Sequence, residues 1–192
     1  MLDRYLRIGL LLMLIPLLHA CAVAVVAGGA TGVTVAHDRR TTGTFIEDQA
    51  IELKANKGFY TDKELYEQAH LNVTSYNTVV LVTGETPSEE LRNRAIDIVR
   101  NIPKVTHVHN EITIAAPSAM VSRSSDTLIT TKVKTKLLTV KGFDGTRTKV
   151  VTEKGVVYLM GLLTREKSDI ATNIVRQVGG VQKVVKLFQY TN

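Results

Sequence analysis

Apolar residues recur along this chain in two blocks with the same internal order. In the first block Ile51, Ala55 and Phe59 fall every fourth position, the period of an amphipathic helix, and Thr44 and Glu47 before them have capping-box spacing. The polar stretch 60–70 reads as a loop or as an extension of that helix. Segments 71–75 and 78–83 are apolar and β-branched on either side of Tyr76-Asn77, which predicts a hairpin. Thr86-Pro87-Ser88-Glu89 offers a cap residue, a proline suited to a first helical position and a closing glutamate, and the stripe Leu91, Ala95, Ile98 and Val99 follows. Pro103 stops that helix, and 105–114 reads as a third strand. The second block predicts a helix over 126–138 with Ile129, Val133 and Leu137 on one face, then strands 149–152 and 156–160 around Lys154-Gly155. Thr164 caps a further helix with the stripe Ala171, Ile174, Val175 and Val178; Gly179-Gly180 ends it, and 181–190 is a last strand. Helix, strand, strand, helix, strand thus occurs twice, with the uncharged stretch 115–121 as linker.

The middle strand of each block, Val79-Val80-Leu81-Val82 and Val156-Val157-Tyr158-Leu159-Met160, is apolar on both faces. A strand of that kind must be covered on both sides. Two helices cover one side, so the expected cover for the other is the second block, sheet against sheet. Each strand runs into a glycine, Gly84 and Gly161, 77 residues apart. Neither copy has the further glycines of a dinucleotide loop or the Gly-Lys-Ser/Thr ending of a P-loop. The two are therefore read as turn glycines, placed where a side chain would block a tight turn from strand to helix.

Charge separates the blocks. The net charge of the chain is +6, but 45–112 holds 7 Lys and Arg against 11 Asp and Glu, a net of −4, while 122–192 holds 13 against 5, a net of +8. An anionic partner for the second half is implied: phospholipid, nucleic acid or an acidic protein. Nucleic-acid readers add stacking aromatics, and this chain has no Trp and only scattered Tyr and Phe. At the N-terminus, Arg4 and Arg7 precede an apolar run from Ile8 to Leu18, too short for a membrane span and suited to a signal peptide over 1–20. The run ends in Leu18-His19-Ala20-Cys21, which resembles a bacterial lipobox with Cys21 as the site of lipid attachment. Ala22, rather than Asp, follows it, which favours outer-membrane sorting. Residues 21–44 then read as the lipidated Cys and a flexible tether. Cys21 is the single cysteine, so no disulfide, thiol nucleophile or cysteine zinc site is available to the mature domains. His107, His109 and Glu111 share one face of a strand and form a possible ligand trio, but the second block has Gln182, Lys183 and Lys186 in this region. A solvated strand face is the preferred reading. No Gly-x-Ser-x-Gly motif or nucleophile–base pair stands out, so the chain does not read as an enzyme.

The run Asn72-Val73-Thr74-Ser75-Tyr76 through Gly84, a capped helix, and Val105 through Ile112 resembles the BON domain; so do Val150-Val151-Thr152 through Gly161 and Gly179-Gly180-Val181-Gln182-Lys183-Val184. The resemblance implies an α+β fold of two tandem BON domains, over 45–114 and 122–192, each αββαβ with a three-stranded mixed sheet and two helices on one face. It implies a non-enzymatic, periplasmic, lipid-anchored outer-membrane protein that binds phospholipid and supports outer-membrane integrity, with links to the division site and to the outer-membrane protein assembly machinery. No cofactor, small-molecule substrate or nucleic-acid partner is implied. A chaperone or protein-docking module, and a cell-wall binder, remain as rival readings. A lipid binder needs lysines around an exposed apolar residue, whereas a docking module needs an uncovered apolar strip or strand edge.

The helix over 126–138 best meets the first requirement. Leu128 lies about 100° from the core stripe, on the side of Lys132; Lys134 and Lys136 flank it, and Lys141 follows. These five residues are the candidate phospholipid-binding set. The first block has Ala50 in place of Leu128 and carries Glu47, Asp48 and Glu52, so only the second helix is expected to meet an anionic membrane.

Overall fold

The structure, a computed structural model, describes residues 41–116 and 120–191. The expected signal peptide, Cys21 and the tether up to residue 40 therefore lie outside the described residues, as does part of the expected linker; the last residues assigned to the tether, 42–44, belong instead to the first helix. The first unit is built of α1 (Thr42–Thr61), α2 (Lys63–Gln68), β1 (His70–Tyr76), β2 (Val79–Thr86), α3 (Glu89–Arg100) and β3 (His107–Ile114). The second has α4 (Met120–Thr139), a short 3-10 turn (Gly145–Arg147), β4 (Lys149–Glu153), β5 (Val156–Leu163), α5 (Arg165–Arg176) and β6 (Lys183–Tyr190).

Local chemistry sets the ends of these elements, and it moves several of the expected boundaries. The cap of α1 is Thr41, whose side chain accepts from the Thr44 amide at 3.1 Å, not Thr44 itself. Stretch 60–70 is mostly helical. Asp62 separates α1 from α2: its amide donates to Gly58 O, and its carboxylate accepts from the Glu64 and Leu65 amides. Those bonds, the one from Leu65 foremost, hold the Asp62 carboxyl below its usual range. At α3 the cap is Ser88, which accepts from Leu91 N at 3.2 Å. Pro87 therefore precedes the cap instead of opening the helix, and Thr86 belongs to β2. Thr164 caps α5 as the sequence predicts. The first hairpin turns at Asn77-Thr78, one residue later than expected, with both residues at positive φ (50° and 65°). Helix α4 starts at Met120, so it runs into the stretch expected to be linker.

Each sheet pairs its first two strands antiparallel and its second and third parallel, in the order β1-β2-β3 and β4-β5-β6. Two cores follow from the inward helix stripes. Ile51, Ala55, Phe59, Leu91, Ala95 and Val99 pack on Val80 and Val82; Ile129, Val133, Leu137, Ala171 and Val175 pack on Val157 and Leu159. The other parity of the middle strands builds a third core. Tyr76 and Leu81 of the first sheet meet Tyr158 and Met160 of the second, with Val79, Val151, Val185 and Leu187 around them. The layers therefore run helices, sheet, sheet, helices, which is the mutual cover that two-faced apolar strands demanded.

The two glycines do not stand in turns. Gly84 lies inside β2, opposite Leu71, at φ 120°; a Cβ there would come 1.9 Å from the His70 carbonyl oxygen. Gly161 lies inside β5, where a Cβ would meet the Arg147 carbonyl oxygen at 2.6 Å. They admit a close backbone approach at the far end of each hairpin, so the turn reading is corrected. Neither stands at a helix N-terminus, since α3 and α5 begin at Glu89 and Arg165.

Candidate functional site

Helix α4 turns Ile129, Val133 and Leu137 into the second core and leaves the opposite side to solvent. Leu128 is 62% exposed, and Lys132, Lys134, Lys136 and Lys141 are exposed. Lys132 and Lys136 stand one turn apart, beside Leu128. Lys134 lies about 120° from Leu128 and lines a cleft between the units instead. Lys141 follows the helix. Four of the five predicted residues thus share α4, divided between an outer face and a cleft edge, and Lys141 lies beyond its end.

Two features of this face escaped the sequence reading. Leu138 is 59% exposed and adds a second large apolar group. The signal was present, since adjacent Leu137 and Leu138 cannot both face one core. Threonines between and beside the leucines bond their hydroxyls back to the helix: Thr131 to Thr127 O at 2.9 Å, Thr127 to Arg123 O and Thr139 to Lys136 O at 3.1 Å. Tied in this way, they leave their methyl groups outward, and the face is less polar than its composition. Among the described residues no helix is long and apolar enough to cross a membrane.

The cleft, about 610 Å³, lies between β1, α4 and β4 and is lined by His70, Asn72, Arg123, Asp126, Lys134, Lys149 and Glu153, among others. Polar ties in and around it join the units. Lys154 Nζ is 2.8 Å from the fully buried Glu85 carboxylate, Asn72 donates to Glu153 at 3.3 Å, and Lys149 lies 3.5 Å from Glu52. Burial, followed by the Glu85 charge, raises the Glu153 pKa. Burial, followed by Arg123, lowers that of His70. A buried ion pair adds little net stability but penalises any other alignment of the two units.

The sheet interface also takes up the histidine strand. The His107 and His109 rings stack edge to face at 4.5 Å, and Glu111 accepts a hydrogen bond from Tyr158 OH at 3.2 Å. That contact replaces the expected solvated face at Glu111. Burial raises the Tyr158 phenol well above its usual range, with the Glu111 charge next. Among the described residues no group of three or more His, Cys, Asp or Glu is arranged to hold a metal.

Two αββαβ units joined through their sheets, with a basic helix outermost on the second, define a tandem α+β module. The BON domain pattern matches residues 47–116 and 125–192, and the chain belongs to the BON family. It is 34% identical over 173 residues to a Haemophilus influenzae protein named outer membrane lipoprotein DolP, covering 90% of both chains. It is 35% identical over 153 residues to a protein of Actinobacillus pleuropneumoniae named 21 kDa hemolysin, covering 80% of this chain and 79% of that one. It is 28% identical over 145 residues to the osmotically-inducible protein Y of Escherichia coli, covering 74% and 72%.

Proposed function

We propose that this chain is a non-enzymatic outer-membrane lipoprotein, attached through Cys21 and facing the periplasm, that binds anionic phospholipid through the outer face of α4 and supports outer-membrane integrity, including at the division site. The observation that carries the reading is Leu128, 62% exposed beside Lys132 and Lys136 on a helix whose inward stripe is fully packed. The name of the Haemophilus relative, an outer membrane lipoprotein, supports the location. Each Lys near an anionic surface contributes about 1 kcal/mol, and inserting Leu128 about 1.5–2 kcal/mol. Before the cost of association, that sum of about 4–6 kcal/mol is weak binding, at best in roughly the micromolar-to-millimolar range. Such an affinity suffices when a lipid on Cys21 keeps the domain close to the bilayer.

The test is vesicle binding by residues 38–192, which form one compact unit, on phosphatidylglycerol and on phosphatidylcholine vesicles. Binding is expected to phosphatidylglycerol only and to weaken with salt. Lys132→Glu with Lys136→Glu should reduce it by about thirtyfold or more, with circular dichroism unchanged. Equal binding to neutral vesicles, or no loss in the folded double variant, overturns the reading. Anchoring has its own test: Cys21→Ala is expected to leave an uncleaved precursor or a mislocalised protein, and normal processing and sorting of that variant would refute Cys21 as the attachment site.

A further inference from the structure

We propose that the outer face of α1 is a docking seam for an amphipathic helix of another protein, one that carries an apolar residue every seventh position with acidic flanks. Ile46, Leu53 and Tyr60 are 63%, 72% and 69% exposed. They stand seven residues apart on α1, and at that spacing three side chains stay within about 40° of one line along the helix. Tyr66 of α2, 62% exposed, meets the Tyr60 ring edge to face at 4.9 Å and prolongs the row past the end of α1. Single exposed apolar residues are ordinary; an aligned row of large ones marks an interaction surface.

Charge selects the partner. The acidic residues of α1 are Glu47, Asp48 and Glu52, and each turns away from the seam. Glu47 reaches Lys104 at 3.9 Å, Asp48 is buried against the hairpin of β1 and β2, and Glu52 accepts from Ser75 N at 2.8 Å and lies 3.5 Å from Lys149. Lys54 and Lys57 stay exposed, Lys57 between Leu53 and Tyr60 along the helix. The more acidic half of the chain therefore presents an apolar and basic stripe outward, which acidic flanks on the partner complement. A row one side chain wide at heptad spacing fits the ridge of a second helix.

The layer order argues for a protein partner over a bilayer. Helices α1 and α4 belong to opposite outer layers, so a flat membrane that meets α4 leaves the α1 seam facing away. Two copies lying on one bilayer through α4 would hold their seams in the same direction and could not join them. This step rests on the lipid reading of α4; the seam itself does not.

The experiment titrates isotope-labelled residues 38–192, which hold all three cores, with a synthetic three-heptad peptide and follows the amide resonances. The peptide has Leu at the first and Ala at the fifth position of each heptad, with Glu flanking them; its counterpart has Lys in place of Glu. The Glu peptide is expected to shift amides along α1, and the Lys peptide to bind at least about tenfold more weakly. Leu53→Asp, at a solvent-facing site, should keep the fold and the vesicle binding but weaken the Glu peptide by about tenfold or more. No shift on α1, equal binding of both peptides, or unchanged binding to the folded Leu53→Asp variant overturns the proposal. So does loss of vesicle binding in that variant, which makes the seam a lipid face. Concentration-dependent shifts on α1 without peptide would make the occupant a second copy and also overturn it. If Lys132→Glu with Lys136→Glu leaves vesicle binding intact while the Glu peptide still binds at α1, the lipid reading falls and the seam stands.

Discussion

Tyr158→Asp is expected to separate the two BON domains while leaving each folded, whereas Val80→Asp should unfold the first domain. The two positions lie on the middle strands of their sheets, β2 and β5, but on opposite faces. Val80 is fully buried among the helices of its own unit; Tyr158 is buried between the sheets with Leu81, Tyr76 and Met160. Truncating a buried aromatic costs about 3–5 kcal/mol. The variant also loses the hydrogen bond to Glu111 and sets a new carboxylate near Glu111 and Glu153, the charges already felt by the phenol. What remains is Tyr76, Leu81, Met160 and their apolar neighbours around an unpaired carboxylate, with polar ties that contribute little once water reaches them. Amide relaxation should change from one overall tumbling time to two shorter ones, with chemical shifts in both helix layers retained. A single tumbling time in the folded variant would contradict the sheet-to-sheet core. Val80→Asp puts a carboxylate where it has no route to solvent, a cost of several kcal/mol, and should erase the resonances of α1 and α3.

This interface was legible because parity was. Val79-Val80-Leu81-Val82 and Val156 to Met160 leave no polar residue for either face, so a second cover had to exist, and the repeat supplied one. The αββαβ order followed for the same reason, since the periods of 3.6 and 2 alternate in both copies. Direction was not legible. Glu47, Asp48 and Glu52 counted as charges that disqualify α1 from an anionic partner, yet all three turn inward or sideways and leave Ile46, Leu53 and Tyr60 outermost. A count gives the sign of a helix but not which side carries it, and the inward stripe Ile51, Ala55 and Phe59 drew attention from the heptad row behind it. Element ends also moved, because caps such as Ser88 and Thr41 compete with equally good neighbours, Thr86 and Thr44, and packing decides between them.

The aspartates of the first helices show what a charge count hides, and Asp48→Ala should be the most damaging single change on α1. Asp48 is fully buried; Oδ1 accepts from Ser75 Oγ at 2.6 Å and Thr78 N at 2.8 Å, and Oδ2 from Asn77 N at 2.7 Å. In the second unit, Asp126 accepts from Lys154 N and Gly155 N, both at 2.8 Å. Each carboxylate thus ties its helix to the turn of the following hairpin, and each precedes the core isoleucine, Ile51 or Ile129, by three residues. The turn it holds is strained. Asn77 and Thr78 have φ of 50° and 65°, Lys154 and Gly155 of 49° and 73°. A non-glycine residue in that region costs about 1–2 kcal/mol, and a β-branched one such as Thr78 is the hardest to place there. Hydrogen bonds to a charged acceptor contribute about 1.5–3 kcal/mol each, and water replaces part of them. Asp48→Ala is therefore expected to cost about 3–5 kcal/mol. Asp126→Ala, with two bonds lost and a glycine in the turn, should cost about 2–3 kcal/mol. The damage should also reach the domain interface, because both turns touch the other unit: Asn77 donates to Gln189 at 2.6 Å, and Lys154 pairs with Glu85. Urea denaturation of residues 38–192 measures the order of the two variants. Adding Thr78→Gly to Asp48→Ala should recover about 1 kcal/mol by relieving the turn. Equal midpoints for the two aspartate variants, or no recovery from the glycine, would show that the carboxylates hold something other than the hairpins.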